Sequence, residues 1–83
     1  MNPELYTRAQ RALAELKGAV FELIVHSPEG ISNAEIGRQL GIYGGHSGQA
    51  GHISRTILEL LEKDEIVHQD AKTKLWTLRP LKK

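Results

Sequence analysis

The sequence predicts a mainly α-helical fold, three helices closed by a small β-hairpin. Apolar residues recur at three- and four-residue steps in three stretches, 5–24, 34–40 and 53–61, the period of one buried helix face in each. After them, Ile66-Val67-His68-Gln69 and Leu75-Trp76-Thr77-Leu78 are β-prone and flank the polar segment Asp70-Ala71-Lys72-Thr73-Lys74, as in a hairpin. The third observation is size. A chain of 83 residues fits one small domain, expected over residues 1–83, and buries only about 60% of its unfolded surface. Without a cysteine it has no disulfide or zinc ribbon to staple it, so helix packing must hold it together.

The first helix is expected over residues 3–25. Asn2-Pro3-Glu4 supplies an N-cap, a proline at the first helical position and an acid at the positive dipole end. Leu5, Ala9, Ala12, Leu13, Leu16, Val20, Leu23 and Ile24 mark its apolar face. Gly18 costs about 1 kcal/mol against alanine inside a helix and implies a close helix crossing. Ser27-Pro28 ends the helix, because the residue before a proline avoids helical backbone.

The second helix is expected over 33–40. Ser32 and Glu35 have the spacing of a reciprocal capping box, Ala34, Ile36 and Leu40 face the core, and Gly41 stops the helix. A connection over 41–51 follows, with five of the eight glycines. The third helix is expected over 48–63, with Ala50, Ile53, Ile57, Leu60 and Leu61 on its buried side. The hairpin covers 66–78, with Trp76 in the core, and a basic tail occupies 79–83.

At 40% apolar and 25% charged, the composition is that of an ordinary soluble globular chain. No apolar run approaches the ~18 residues of a membrane span, and the first residues lack the pattern of a signal peptide. The expectation is a cytoplasmic or nucleoid-associated protein with no membrane partner. The net charge of +1 divides into −1 over residues 1–41 and +2 over 42–83. From Ala71 onward Lys72, Lys74, Arg79, Lys82 and Lys83 meet no acid. Such an end is either a solvated tail or a footprint for phosphate.

The Gly30-Ile31-Ser32 entry, Glu35-Ile36 and Leu40-Gly41 carry a resemblance, together with Ile53 to Leu61, Ile66-Val67 and Leu75 to Leu78. Over roughly Ser27 to Leu78 the chain resembles the winged helix-turn-helix DNA-binding domains. The resemblance implies a three-helix core backed by a small sheet, the third helix offered to a major groove and the wing to phosphate or minor groove. The chain departs from the family pattern in two places. Its connection between helices two and three is longer and richer in glycine, and Asp64-Glu65 replaces a common Asp-Gly turn. Ile53-Ser54-Arg55 with Leu75-Trp76 is also similar to the Z-DNA-binding winged domains of RNA-editing adenosine deaminases. Those carry asparagine and tyrosine where this chain has Ser54 and Leu58, so left-handed DNA is rejected as the target.

Candidate contacts follow from the wheel of the third helix. His52, Arg55, Glu59 and Glu62 lie opposite the apolar side, and the N-terminal part of a recognition helix enters the groove. Ser47, Gln49, His52 and Arg55 are therefore candidate base or phosphate contacts. Arginine grips guanine and glutamine adenine through paired hydrogen bonds. Lys72, Thr73 and Lys74 at the wing tip are candidate phosphate contacts. Tyr43 and Arg79 are secondary ones, Tyr43 being equally able to pack inward. Each residue alone can be plain solvated surface, and the hairpin lysines can simply guard a sheet edge.

The glycine-rich connection lacks the G-x-x-x-x-G-K-[ST] pattern and a preceding strand, so it is not a nucleotide loop. It either lets backbone amides approach a DNA phosphate or is a hinge needing positive φ. His46 and His52 are six apart, which is no helical metal pair. No acid pair or Ser/His/Asp set suggests catalysis. The expected function is double-stranded DNA binding without metal or cofactor, as a small regulator or a targeting module. The alternative is a protein–protein interaction module, or homodimer, built on the first helix.

Overall fold

A computed structural model of the chain describes residues 2–44 and 51–80. It contains α1 (Pro3–Val25), α2 (Asn33–Gln39), α3 (His52–Lys63), β1 (Val67–Gln69) and β2 (Trp76–Leu78). The predicted order of three helices and a hairpin holds. Val20, Ile24, Ile31, Ile36, Ile57, Leu58, Leu61, Val67 and Trp76 form one core, drawn from every element.

α1 starts where the capping residues say it should. Asn2 Oδ1 accepts from the amides of Glu4 and Leu5 at 3.0 and 3.1 Å, with Pro3 at the first helical position. Its apolar face, however, outruns the core. Residues 2–12 are all exposed, so Leu5, Ala9 and Ala12 project past the body, and packing begins at Leu13. The close crossing expected at Gly18 is also absent, since a Cβ there would meet nothing within 4 Å.

Around α2 the capping box is half formed. Ser32 Oγ accepts from the Glu35 amide at 3.1 Å, while the Glu35 carboxylate turns along the helix, accepting from Gln39 Nε2 at 2.9 Å with Arg38 at 3.8 Å. The helix ends one residue early, at Gln39, in a Schellman motif. Gly41 is left-handed at φ 73°, its amide bonds the Arg38 carbonyl, and the Ile42 amide bonds the Gly37 carbonyl at 2.7 Å.

α3 begins at His52, later than expected, because Gly51 at φ 78° is its left-handed N-cap. Its buried residues are Ser54, Ile57, Leu58 and Leu61, and Ile53 is 47% exposed. This corrects the expected wheel, rotating the buried arc by roughly 60° at 100° per residue. Ser54 is the cause. Fully buried, its hydroxyl donates to Asn33 Oδ1 at 2.8 Å and shares that proton with the Gly51 carbonyl at 3.1 Å. Asn33 Nδ2 donates to the same carbonyl at 3.1 Å. The network joins the first turns of α2 and α3, and Leu58, one turn on, follows Ser54 inward.

After α3 a second Schellman motif turns the chain. The Ile66 amide bonds the Leu61 carbonyl and Glu65 bonds Glu62, with Glu65 at φ 62° where glycine would fit more easily. β1 and β2 pair antiparallel, Val67 with Leu78, His68 with Thr77 and Gln69 with Trp76. A further bridge joins Ile31 to Trp76 through bonds of 3.1 and 2.8 Å. The segment before α2 thus extends the sheet, an element that one apolar residue between Gly30 and Ser32 could not announce. Gly30, at φ 98°, allows it, since a Cβ there would stand 2.8 Å from that of Leu75.

The stability of Ser54 and glycine variants tests the network, with Trp76, 5% exposed, as the reporter in urea titrations. Ser54→Ala takes the donor from Asn33 Oδ1, while the Gly51 carbonyl keeps those of Asn33 Nδ2 and the Arg55 amide, and should cost about 1–3 kcal/mol. Gly51→Ala should cost more than Gly41→Ala, because Asn33 Nδ2 lies 2.7 Å from the added Cβ at Gly51 and nothing lies within 4 Å at Gly41. Glu65→Gly should stabilise by about 1 kcal/mol, relieving left-handed backbone. Equal losses at both glycines would overturn the role given to the Asn33 contact.

Candidate nucleic-acid interface

The rotation of α3 decides which side chains face outward. His52, Arg55, Thr56, Glu59 and Lys63 are exposed, and the angular positions of His52, Thr56, Glu59 and Lys63 centre that face. His52 and Arg55 are exposed as expected, but Arg55 sits toward one flank. Thr56 and Lys63, absent from the expected set, share the face. The signal for them was Ser54, whose type tolerates burial when hydrogen-bonded and so allowed a different wheel. Ser54 and Leu58, the positions compared with the Z-DNA-binding domains, are buried and out of reach of any nucleic acid.

Arg55 shares a cleft of about 180 Å³ with Asn33, Glu59, Glu62, Gln69 and Trp76, between α3 and the hairpin. The exposed face of α3 is therefore close to neutral, Arg55 and Lys63 against Glu59 and Glu62. Trp76 Nε1, in the cleft wall, has no hydrogen-bond partner among the described residues.

The hairpin supplies the positive charge. Lys72, Thr73 and Lys74 are all exposed, and neither lysine makes an ion pair among the described residues. Asp70 builds the turn that presents them. Its Oδ2 accepts from the amides of Lys72 at 2.9 Å and Thr73 at 2.7 Å. The Lys74 amide returns to the Asp70 carbonyl, and the Asp70 amide reaches the Leu75 carbonyl. Lys74 closes the turn in left-handed backbone at φ 66°. Gln69 Nε2 spans the tip to the Lys74 carbonyl at 3.0 Å. The bonds from Thr73, then that from the Lys72 amide, hold the Asp70 carboxyl below its ordinary pKa.

Tyr43 packs inward. Its ring lies against Gly37, where a Cβ would come within 3.1 Å of it, and the Arg38 guanidinium stands 4.7 Å from the ring centroid. Its carbonyl accepts from the Gly51 amide at 2.9 Å, so the residue braces the α2–α3 connection. Arg79 is half-buried beside the hairpin, its amide bonded to the Ile66 carbonyl at 2.9 Å. Ser47 and Gln49 lie outside the described residues. The structure thus joins Arg55 to the hairpin base through the cleft and sets Lys72, Thr73 and Lys74 together at the tip.

No protein-family model matches the chain, and no curated protein or solved structure is significantly similar to it. Among the described residues no helix is long and apolar enough to cross a membrane.

Asp70 yields a pH prediction. Its pKa is lower folded than unfolded, so its contribution is complete above the unfolded value of about 3.9 and disappears as pH falls through the folded value. The Lys72 and Thr73 amides should lose exchange protection only on that acid side, and Asp70→Asn should remove the transition. A Lys72 amide indifferent to acid would show that the carboxylate does not hold the turn.

Proposed function

We propose that this protein binds double-stranded DNA, with the N-terminal turns of α3 entering the major groove and the hairpin lying on the phosphate backbone. The observation that supports it best is a polar, exposed α3 face, anchored from behind by the Ser54–Asn33–Gly51 network, beside a hairpin tip with two lysines free of ion pairs among the described residues. In this reading the chain is a winged helix-turn-helix, either a small regulator or the targeting module of a larger assembly. Nucleoid association follows from the same reading. Phosphate contact supplies affinity without sequence choice, and base-edge contact supplies the choice.

The division of labour follows from charge. Arg55 is the cation nearest the start of α3, and it discriminates between base pairs. Glu59 and Glu62 beside it weaken non-specific attraction of that face to phosphate, leaving bulk affinity to Lys72 and Lys74. Lysine at position 74 holds left-handed backbone that costs about 1 kcal/mol relative to glycine, and its charge is the compensating gain. A second reading, a protein-interaction module, is favoured by the projecting apolar turns of α1.

Duplex titrations over a range of salt test the proposal. Arg55→Ala should cost about 1–3 kcal/mol on a selected duplex and narrow its advantage over random DNA. Replacing Lys72 and Lys74 by alanine should weaken all duplexes alike and reduce the salt slope by about 1.8. Lys74→Gly should raise thermal stability while lowering affinity. No binding to any duplex at low salt would overturn the DNA reading and favour the protein partner.

A further inference from the structure

The cleft between α3 and the hairpin contains polar groups that the described chain does not satisfy. Of its six lining residues, Arg55, Glu59 and Glu62 stand on α3, Gln69 and Trp76 on the hairpin, and Asn33 at the start of α2. Asn33 is spent on Ser54 and Gly51, and Gln69 Nε2 on the Lys74 carbonyl. Arg55, Glu59 and Glu62 make no ion pair among the described residues, although opposite charges line one cleft. Trp76 is the buried residue of the six and forms the floor. Its Nε1 is a buried donor with no acceptor among the described residues, a state that folded proteins rarely leave unrelieved.

The charges are ordered along the cleft. Arg55, Glu59 and Glu62 share one strip of α3, and at ~1.5 Å per residue the two acids lie roughly 6 and 10 Å beyond Arg55 along the axis. The end toward Asn33 is therefore cationic and the other end anionic. A simple anion would suit Arg55 and Trp76 but would face two carboxylates. A divalent cation would find two acids beside a guanidinium, and no cluster of three metal-ligating side chains exists among the described residues. A nucleobase stacks on an open aromatic face, whereas the cleft's one aromatic ring, Trp76, is 5% exposed. The volume of about 180 Å³ equals about six waters at ~30 Å³ each, which restricts the occupant to a very small molecule.

We propose that the cleft binds a small neutral α-amino acid. Its carboxylate accepts from the Arg55 guanidinium and Trp76 Nε1, and its ammonium donates to Glu59, with Glu62 and Gln69 Oε1 beside it. With a hydrogen bond of about 2.9 Å at each end, such a zwitterion spans the separation of Arg55 and Glu59. Both ends are charge-assisted, the stronger kind of hydrogen bond, and the ligand supplies the acceptor that the indole lacks. Arg55 also serves the DNA reading, but the site is tested on the protein without DNA, so its failure leaves that reading untouched.

Trp76 is the single tryptophan of the chain, so its indole N–H gives one resonance in the nitrogen-labelled protein. Titration with glycine, L-alanine and L-serine should move that resonance downfield to saturation with at least one of them. L-Alaninamide, which lacks the carboxylate, and N-acetyl-L-alanine, which lacks the ammonium, should bind more weakly by about tenfold or more, the loss of one charged hydrogen bond. Arg55→Ala and the double variant Glu59→Gln, Glu62→Gln should weaken binding to a similar degree. All three positions are exposed, so the fold persists, and Lys72→Ala, outside the cleft, should bind as the parent chain does. No saturable movement with any of the three amino acids, an equal response to N-acetyl-L-alanine or L-alaninamide, or unaltered affinity in either cleft variant would overturn the proposal.

Discussion

The orientation of α3 rests on one buried hydroxyl. Ser54 is the sole buried polar side chain in the described core, and its environment offers water no access. Its proton must therefore go to protein, and Asn33 Oδ1 and the Gly51 carbonyl are what it reaches. A buried hydroxyl left without an acceptor would cost about 1–3 kcal/mol, so the rotation of α3 and the junction of the two helices are set together. Gly51 belongs to the same constraint, because left-handed backbone brings its carbonyl toward Asn33 and leaves no room for a side chain. Tyr43 closes the connection from the other side, seated on Gly37.

The hairpin is located by a second tie. The Ile31–Trp76 bridge holds β2 to the segment entering α2, while Val67 and Trp76 carry the same strands into the core. Hairpin and α3 are therefore both referred to the start of α2, the hairpin through Ile31 and α3 through Asn33. A cleft between them containing Arg55 and Gln69 is the consequence. The tip beyond is built from local bonds of Asp70, so its lysines are displayed by a turn whose anchor is itself an acid.

Charge and apolar surface are segregated. The exposed face of α3 is near neutral, the hairpin is basic, and the open groove between α1 and Leu61 and Ile66 carries one lysine, Lys17, held by Asp64. The apolar residues Leu5 and Tyr6, exposed on the first turns of α1, stand apart from both charged regions. The length of α1 is what permits this, since its first three turns contribute nothing to the core.

Much of this was legible in the residues themselves. Asn2-Pro3, Ser32 and Gly41 are local signals whose bonds close within a few positions, so the helix ends they mark were readable without knowing the fold. The hairpin was readable for the same reason, as was the burial of Trp76 between alternating neighbours. Periodicity alone could not fix the rotation of α3. Ile53 and Ile57 and the pair Ser54 and Leu58 suit two overlapping helical faces, and hydropathy favours the isoleucine at 53 over the serine at 54. Only a partner eighteen to twenty-one positions away, Asn33 with Gly51 and Ser54, decided for the serine, because a buried hydroxyl is tolerated once its hydrogen bond is supplied. Tertiary structure likewise showed that the apolar face of α1 outlasts the core it serves. A helix wheel records which residues share a side, but not how far the rest of the chain extends to meet them.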